Sequence, residues 1–284
     1  MFNLNEFIAL AVKEDLGDGD HTSLATIPET AIGEAKLLVK EDGIIAGVSI
    51  AKEIFSYFQY DIVCEIFILD GSEVKKGDVV MIVKGEVRVL LAAERLVLNI
   101  MQRMSGIATY TKMLVEKIKH TNAKLLDTRK TTPLFRFFEK EAVRIGGGMN
   151  HRMGLYDMIM IKDNHVDFSG GITQAIRRVN HYLDKQHKSL KIEVEVRNFD
   201  ELKEVLNCGN IHRIMLDNFS VENLKIAVEM IGGIFETEAS GGINEQTIKA
   251  YAETGVQYIS VGALTHHVNS LDLSLKATFH DLEK

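Results

Sequence analysis

KIEVEVRNFDELKEVLNCGNIHRIMLDN, residues 191–218, decides the architecture. Residues 191–196 alternate apolar and charged side chains as a strand does, 199–206 return to helical spacing, and 211–216 form a second strand-like run. A strand, a helix and a strand in so short a segment imply parallel strands with a covering helix. The alternation continues on both sides. Further strand-like runs lie at 123–127, 158–161, 234–239 and 258–261, and helix-like stretches at 172–182, 221–231 and 244–253. The number of repeats predicts a barrel-like closure, with an open doubly wound sheet as the alternative.

Upstream the texture changes. Phe2, Leu4, Phe7, Ile8, Ala11 and Val12 recur at helical spacing, so the first 30 or so residues read as helix rather than signal peptide. From 32 to 90 come short β runs (35–39, 62–68 and 79–83), separated by the turn signals Asp42-Gly43, Asp70-Gly71 and Lys76-Gly77-Asp78. Helical spacing returns from 91 to 120 through Leu91, Glu94, Leu98, Met101 and Gln102. This part reads as an α+β domain.

Composition sets limits. The chain has 284 residues, 46% of them hydrophobic, and 33 Lys+Arg against 40 Asp+Glu give a net charge of −7. That is an ordinary globular balance with enough apolar surface to fold. An acidic total without a basic tail argues against nucleic acid as partner. No run of about 18 apolar residues suggests a membrane span. Cys64 and Cys208 provide neither a disulfide framework nor metal-ligand spacing, so a reducing compartment, the cytoplasm, is expected.

The residues that succeed each strand carry the chemistry. Thr128-Arg129-Lys130-Thr131-Thr132 comes after the first run, Lys162-Asp163-Asn164-His165 after the second, Asp217-Asn218 after the fourth, Ser240-Gly241-Gly242 after the fifth and Gly262-Ala263 after the last; Glu193 and Glu195 lie on the third. Polar residues and glycines at successive strand C-termini mark the catalytic face of a β/α barrel. Arg129, Lys130, Arg152 and Lys162, with His151, make a cationic pocket suited to an anionic substrate; pairing with Glu193, Glu195 and Asp217 as internal salt bridges is the plainer reading of any one of them. Ser240-Gly241-Gly242 and Gly262 fit a phosphate held by backbone N–H groups. Glu195 and Asp217 are candidate carboxylates for Mg²⁺ on a polyphosphate. Gly146-Gly147-Gly148 reads as a loop delivering His151 and Arg152. His165 reads as a loop-orienting residue, and His266-His267 as structural or solvated.

These motifs resemble the quinolinate phosphoribosyltransferases. The resemblance is carried by Asp127-Thr128-Arg129-Lys130-Thr131-Thr132-Pro133, Glu139-Lys140, Gly146-Gly147-Gly148 with Asn150-His151-Arg152, and Ile161-Lys162-Asp163-Asn164-His165. It continues through Glu193-Val194-Glu195-Val196, Met215-Leu216-Asp217-Asn218, Glu238-Ala239-Ser240-Gly241-Gly242 and Gly262-Ala263-Leu264-Thr265-His266, and in the N-terminal part through Glu94-Arg95 and Ser105-Gly106-Ile107-Ala108. After Pro133 that family usually has Gly-Leu, where this chain has Leu134-Phe135, and Glu141 stands where an aromatic residue is common.

The resemblance implies an α/β protein: an N-terminal α/β sandwich (1–110) and an incomplete, seven-stranded-type β/α barrel (111–269), with a C-terminal helix (270–284) packing back on the first domain. It implies transfer of phosphoribosyl from phosphoribosyl pyrophosphate to quinolinate, giving nicotinate mononucleotide, pyrophosphate and CO₂ on the de novo route to NAD. It places Arg129, His151, Arg152 and Lys162 around the quinolinate carboxylates, joined by Arg95 from the neighbouring subunit of a homodimer. Lys130 and Lys162 would lie near the phosphoribosyl and pyrophosphate groups, Glu195 and Asp217 would face the ribose and its Mg²⁺, and Ser240, Gly241 and Gly262 would hold the 5′-phosphate. Two other readings compete: a Schiff-base aldolase built on Lys162, and a swinging-arm carrier suggested by the Gly-punctuated stretch 70–85.

Overall fold

The computed structural model describes residues 2–278. The chain forms two compact units: the described residues up to Tyr110 with Phe137–Gly146 and the described residues from Val268 on, and Thr111–Arg136 with Gly147–His267. The first differs from the expected 1–110 in taking in residues 137–146.

The first unit opens with α1 (Leu4–Leu16) and α2 (His21–Thr26), capped by Asn3 and Asp20, whose side chains accept from N–H groups of the first turn. Next come β1 (Ile32–Val39), β2 (Gly43–Ile44), α3 (Val48–Phe58), β3 (Val63–Ile66), β4 (Glu73–Val74) and β5 (Val79–Glu86). β1 pairs antiparallel with β5, and β5 with β3. β5 is therefore an internal strand, not a mobile carrier hairpin. α4 (Val87–Ile118) succeeds it. This helix passes through Gly106, where an added Cβ would lie 2.1 Å from the Asn269 carbonyl oxygen, so only glycine fits.

The C-terminal segment corrects one expectation. Its described part is not a helix but a strand, β12 (Leu273–Thr278), antiparallel to β1 with Leu37↔Leu275 and Val39↔Leu273 in register. The sheet order is β12-β1-β5-β3. Leu271, Leu273 and Leu275 alternate with Asp272, Ser274 and Lys276, a period of two that suits a strand. Residues 279–284 lie outside the described residues.

The second unit is a strand–helix series: β6 (Lys124–Leu126), then, beyond α5 (Arg136–Ile145), β7 (Ile159–Ile161), α6 (Asp163–Ser169), α7 (Ile172–Gln186), β8 (Ile192–Val196), α8 (Phe199–Cys208), β9 (Arg213–Asp217), α9 (Val221–Ile231), β10 (Glu236–Ser240), α10 (Ile248–Ala252), β11 (Tyr258–Ser260) and α11 (Ala263–His266). The parallel sheet has the order β6-β11-β10-β9-β8-β7. On the outer side of β6, Met149 forms a parallel bridge with Leu126, and its N–H donates to Leu125 O at 2.8 Å. Counting Met149 as a short stave, the order runs cyclically through the chain, and the last strand sits beside the first. That is barrel topology; a doubly wound sheet would reverse order at its centre. Six regular strands and a one-bridge stave account for the incomplete barrel.

Candidate active site

Strand register assembles the polar residues. Glu193 of β8 and Glu236 of β10 both stand beside Arg213 of β9, and Glu195 and Glu238 both stand beside Met215, one pleat further on. Residues two apart share a face, so these side chains emerge on one side of the sheet. Every residue of β8 is buried, Glu193 at 0% and Glu195 at 8% exposed, so neither glutamate is a solvated wall residue.

A buried charge network lies beneath the strand ends. His151 Nε2 is 3.0 Å from Glu193 Oε2 and 3.3 Å from Glu238 Oε2. Arg213 donates to Glu238 at 2.9 Å and to Glu236 at 3.0 Å, and its guanidinium stacks 3.9 Å over the Tyr258 ring. Asp127, fully buried, accepts from the His151 backbone N–H at 2.8 Å. Burial opposes an imidazolium at His151, but Glu193 and Glu238 favour it enough to lift its pKa to about 9. The Arg152 N–H, 2.6 Å from Nδ1, needs a lone pair there and pulls the other way. Burial, reinforced by Glu238, pushes the Glu193 carboxyl up to about 7. The cluster thus keeps a shared proton that its members would release if exposed. Among the described residues, His151, Glu193 and Glu238 are the only trio whose ligand atoms cluster closely enough to hold a metal ion; Arg213 already offsets their charge.

Above this network, at the strand C-termini, opens a cleft of about 770 Å³. Arg129, Lys130, His151, Arg152 and Lys162 line it together with Glu195, Asp217, Ser240, Gly241 and Gly262. Ten of the eleven candidate residues therefore meet in one place. The eleventh, Arg95, is exposed on α4 and is not part of the lining.

Two of the cations are anchored by hydrogen bonds or ion pairs. Arg152 is half-buried and donates to Met158 O at 3.2 Å; desolvation, then the charge of Arg129, lowers its pKa. Lys162 pairs with Glu195, and its N–H donates to His165 Nδ1 at 3.0 Å, the orienting role expected of His165. Lys162 is ion-paired and 43% exposed, not sealed in the apolar pocket that activates a Schiff-base lysine. The Lys130 carbonyl accepts from Thr265 Oγ1 at 2.7 Å. Arg136 braces two loops, donating to Thr131 Oγ1 at 2.9 Å and to Met153 O at 3.0 Å.

Glu195 and Asp217 each commit one carboxylate oxygen within the protein, to Lys162 and to Asn218. Their second oxygens match what Mg²⁺ takes from a protein when phosphate and water fill its other positions.

The cleft also contains residues that the sequence did not single out. His266, read as structural or solvated, lines it, with Nε2 only 2.9 Å from where a Gly262 side chain would begin. Desolvation, then His267 and Lys130, lowers its pKa. The Gly262–His266 spacing of four, one helical turn, was the available signal. Met160, a core-strand residue by pattern, is buried and also lines the cleft. Glu238 and Arg213 owe their roles to register. A second cleft of about 740 Å³ between α7 and α8 gathers helix-surface residues and none of the strand-end cations.

Comparison with known proteins identifies the family and the fold. Residues 107–276 match the family model "Quinolinate phosphoribosyl transferase, C-terminal domain", and residues 20–105 match that of the N-terminal domain. A rice protein, "Nicotinate-nucleotide pyrophosphorylase [carboxylating], chloroplastic", is 48% identical over 97% of this chain and 78% of its own length. A tobacco "Quinolinate phosphoribosyltransferase [decarboxylating] 2b, mitochondrial" is 46% identical over 97% of this chain and 82% of its own. The crystal structure of NadC from Streptococcus pyogenes superposes with a TM-score of 0.92 at 37% identity, covering 98% of this chain and 97% of that one. The expectation of a cytoplasmic protein is overturned: these plant relatives are chloroplastic and mitochondrial, so two cysteines and an acidic total do not assign the compartment.

Proposed function

This chain belongs to the quinolinate phosphoribosyl transferase family, and we propose that the strand-end cleft is where its reaction takes place. The enzyme transfers phosphoribosyl from phosphoribosyl pyrophosphate to quinolinate, with decarboxylation, giving nicotinate mononucleotide, pyrophosphate and CO₂ in de novo NAD biosynthesis. The observation that carries the assignment of the site is the meeting of Arg129, Lys130, Arg152 and Lys162 with Glu195, Asp217 and two glycine turns in one cleft.

Charge and position set the roles. Arg129, Arg152 and Lys162, with His151 behind them, bind the two quinolinate carboxylates; Arg forks engage carboxylate in bidentate fashion. Lys130 and Lys162 face the pyrophosphate, and Ser240, Gly241 and Gly262 hold the 5′-phosphate through backbone amides. The bond from ribose C1 to pyrophosphate breaks with its electron pair on the leaving oxygen, and Glu195 and Asp217 offset the positive charge that develops on the ribose. The pyridine nitrogen then bonds to C1, making the ring cationic. The adjacent carboxylate leaves as CO₂, its bonding pair stays on the ring carbon stabilised by the ring charge, and solvent returns a proton. No protein nucleophile takes part. Glu195 and Asp217 would hold Mg²⁺, which when bound neutralises charge on the pyrophosphate.

Arg95 acts from a second copy in a homodimer; its exposure on α4 leaves the side chain available for such a role. Mixing two inactive variants, Arg95→Ala and Lys162→Ala, should then restore activity through hybrid dimers. For the reaction, quinolinate labelled at the carboxylate next to the ring nitrogen should release labelled CO₂ in step with nicotinate mononucleotide. Retention of the label in the nucleotide product would refute the assignment.

A further inference from the structure

One residue lining the cleft sits in a conformation unusual for its type. Asn218 comes directly after the last residue of β9 with φ +56°, in the left-handed region. Asparagine tolerates that region better than most residues, and this alone would explain its presence. Its side chain, however, is not simply turned to solvent. Nδ2 donates to Asp217 Oδ2 at 2.6 Å, and the backbone N–H donates to Ser240 O at 2.8 Å. Oδ1 lies against Gly241, where an added Cβ would come within 2.1 Å of it. Gly241 has φ +97°, so its lack of a side chain serves both its own turn and the seating of Asn218. The amide orientation is fixed by charge, because Oδ1 facing the Asp217 carboxylate would repel it.

We infer that Asn218 is a positioning residue that joins two halves of the phosphoribosyl site, its carboxamide fixing the Asp217 carboxylate while its left-handed backbone and Oδ1 hold the Ser240–Gly241 turn. The inference rests on the roles proposed above for Asp217, Ser240 and Gly241. Its chemistry is geometric: β9 and β10 already set Asp217 beside Ser240 in register, and Asn218 adds to that pairing the orientation of the Asp217 carboxylate and the seating of the Gly241 turn. Asn218 hydrogen-bonds Asp217 and Ser240 and lies against Gly241, on the phosphoribosyl side of the roles proposed above.

Two variants test it. Asn218→Gly keeps the left-handed backbone and removes the carboxamide. Asn218→Asp keeps the shape and sets a carboxylate against Asp217. Each is titrated at equilibrium with nicotinate mononucleotide and, separately, with quinolinate, alongside a thermal melt. The loss of a hydrogen bond to a charged group predicts mononucleotide affinity weakened roughly tenfold or more in both variants. Quinolinate affinity should stay within about twofold, since no hydrogen bond there is lost. In steady state, KM for phosphoribosyl pyrophosphate rises and KM for quinolinate does not. Unchanged mononucleotide affinity in the folded variants, or equal weakening of both ligands, overturns the inference alone. An unsubstituted enzyme that binds neither ligand overturns the functional reading and the inference with it.

Discussion

The two sheets of this protein are built to opposite rules. In the antiparallel sheet, β1 buries Ala35, Leu37 and Val39 and β5 buries Val80, Met81 and Val83, and no charged residue on those strands is buried. In the parallel sheet, Glu193, Glu195, Arg213 and Glu238 are buried on the strands themselves. The first sheet obeys the hydrophobic rule and stabilises itself. The second takes up ionisable groups that cost desolvation energy and are tolerated only because each has a partner. A fold seeking stability alone would fill those positions with aliphatic side chains, so their charge marks the sheet that performs the chemistry.

That contrast can be broken most forcefully at the cleft. Arg152→Ala should lower turnover roughly a hundred- to a thousandfold, the scale for removing one charge-stabilising donor, with an unchanged thermal midpoint. A steady-state assay beside a melting curve checks both parts. Below the cleft, Glu238→Ala strips Arg213 and His151 of a shared carboxylate and should cost about 3–5 kcal/mol in a denaturant titration. Leu37→Ala, fully buried in β1, should cost a similar roughly 2–5 kcal/mol with KM for both substrates unchanged. Equal kinetic damage from both variants would erase the distinction between the sheets.

The shared proton gives a gentler test. His151, with its pKa raised to about 9, contributes stability that is complete below its unfolded value of about 6.5 and is lost as pH rises through about 9. The unfolding midpoint should fall across that window, and fall less in Glu193→Gln, measured by melts at half-unit pH steps. The smallest effect concerns a loop. Leu134 holds φ +62°, a left-handed conformation that favours glycine, and is 83% exposed. Leu134→Gly should stabilise the fold by up to about 1 kcal/mol, relief of left-handed strain partly offset by a freer unfolded chain.

Much of this was legible before the structure. Each barrel strand is a short apolar run ended by a polar or glycine residue, a local signal, so 123–127, 191–196 and 211–216 were found within about two residues of β6, β8 and β9. Most of the ten cleft residues are legible for the same reason, since the ends of parallel strands converge wherever the strands do; His151 and Arg152 are legible instead from the glycine-rich loop before them. What escaped was nonlocal. Strand β12 earns its place by pairing with β1 at the far end of the chain, and six residues at a terminus carry too little pattern to distinguish strand from helix. The His151–Glu193–Arg213–Glu238 network depends on register between strands, which no single strand encodes. Asn218 gives no periodic signal at all; its importance lies in a backbone angle and in the absence of a side chain at Gly241.

The central claim, that the cation cluster reads a pyridine carrying two carboxylates, is tested most directly by product analysis. The enzyme is incubated with phosphoribosyl pyrophosphate and Mg²⁺, with quinolinate or nicotinate in parallel reactions, and the products are identified by mass spectrometry. The account predicts nicotinate mononucleotide from quinolinate and none from nicotinate. Product from nicotinate at a comparable rate would contradict it, because the second carboxylate would then be irrelevant to the arginines and lysines gathered to receive it.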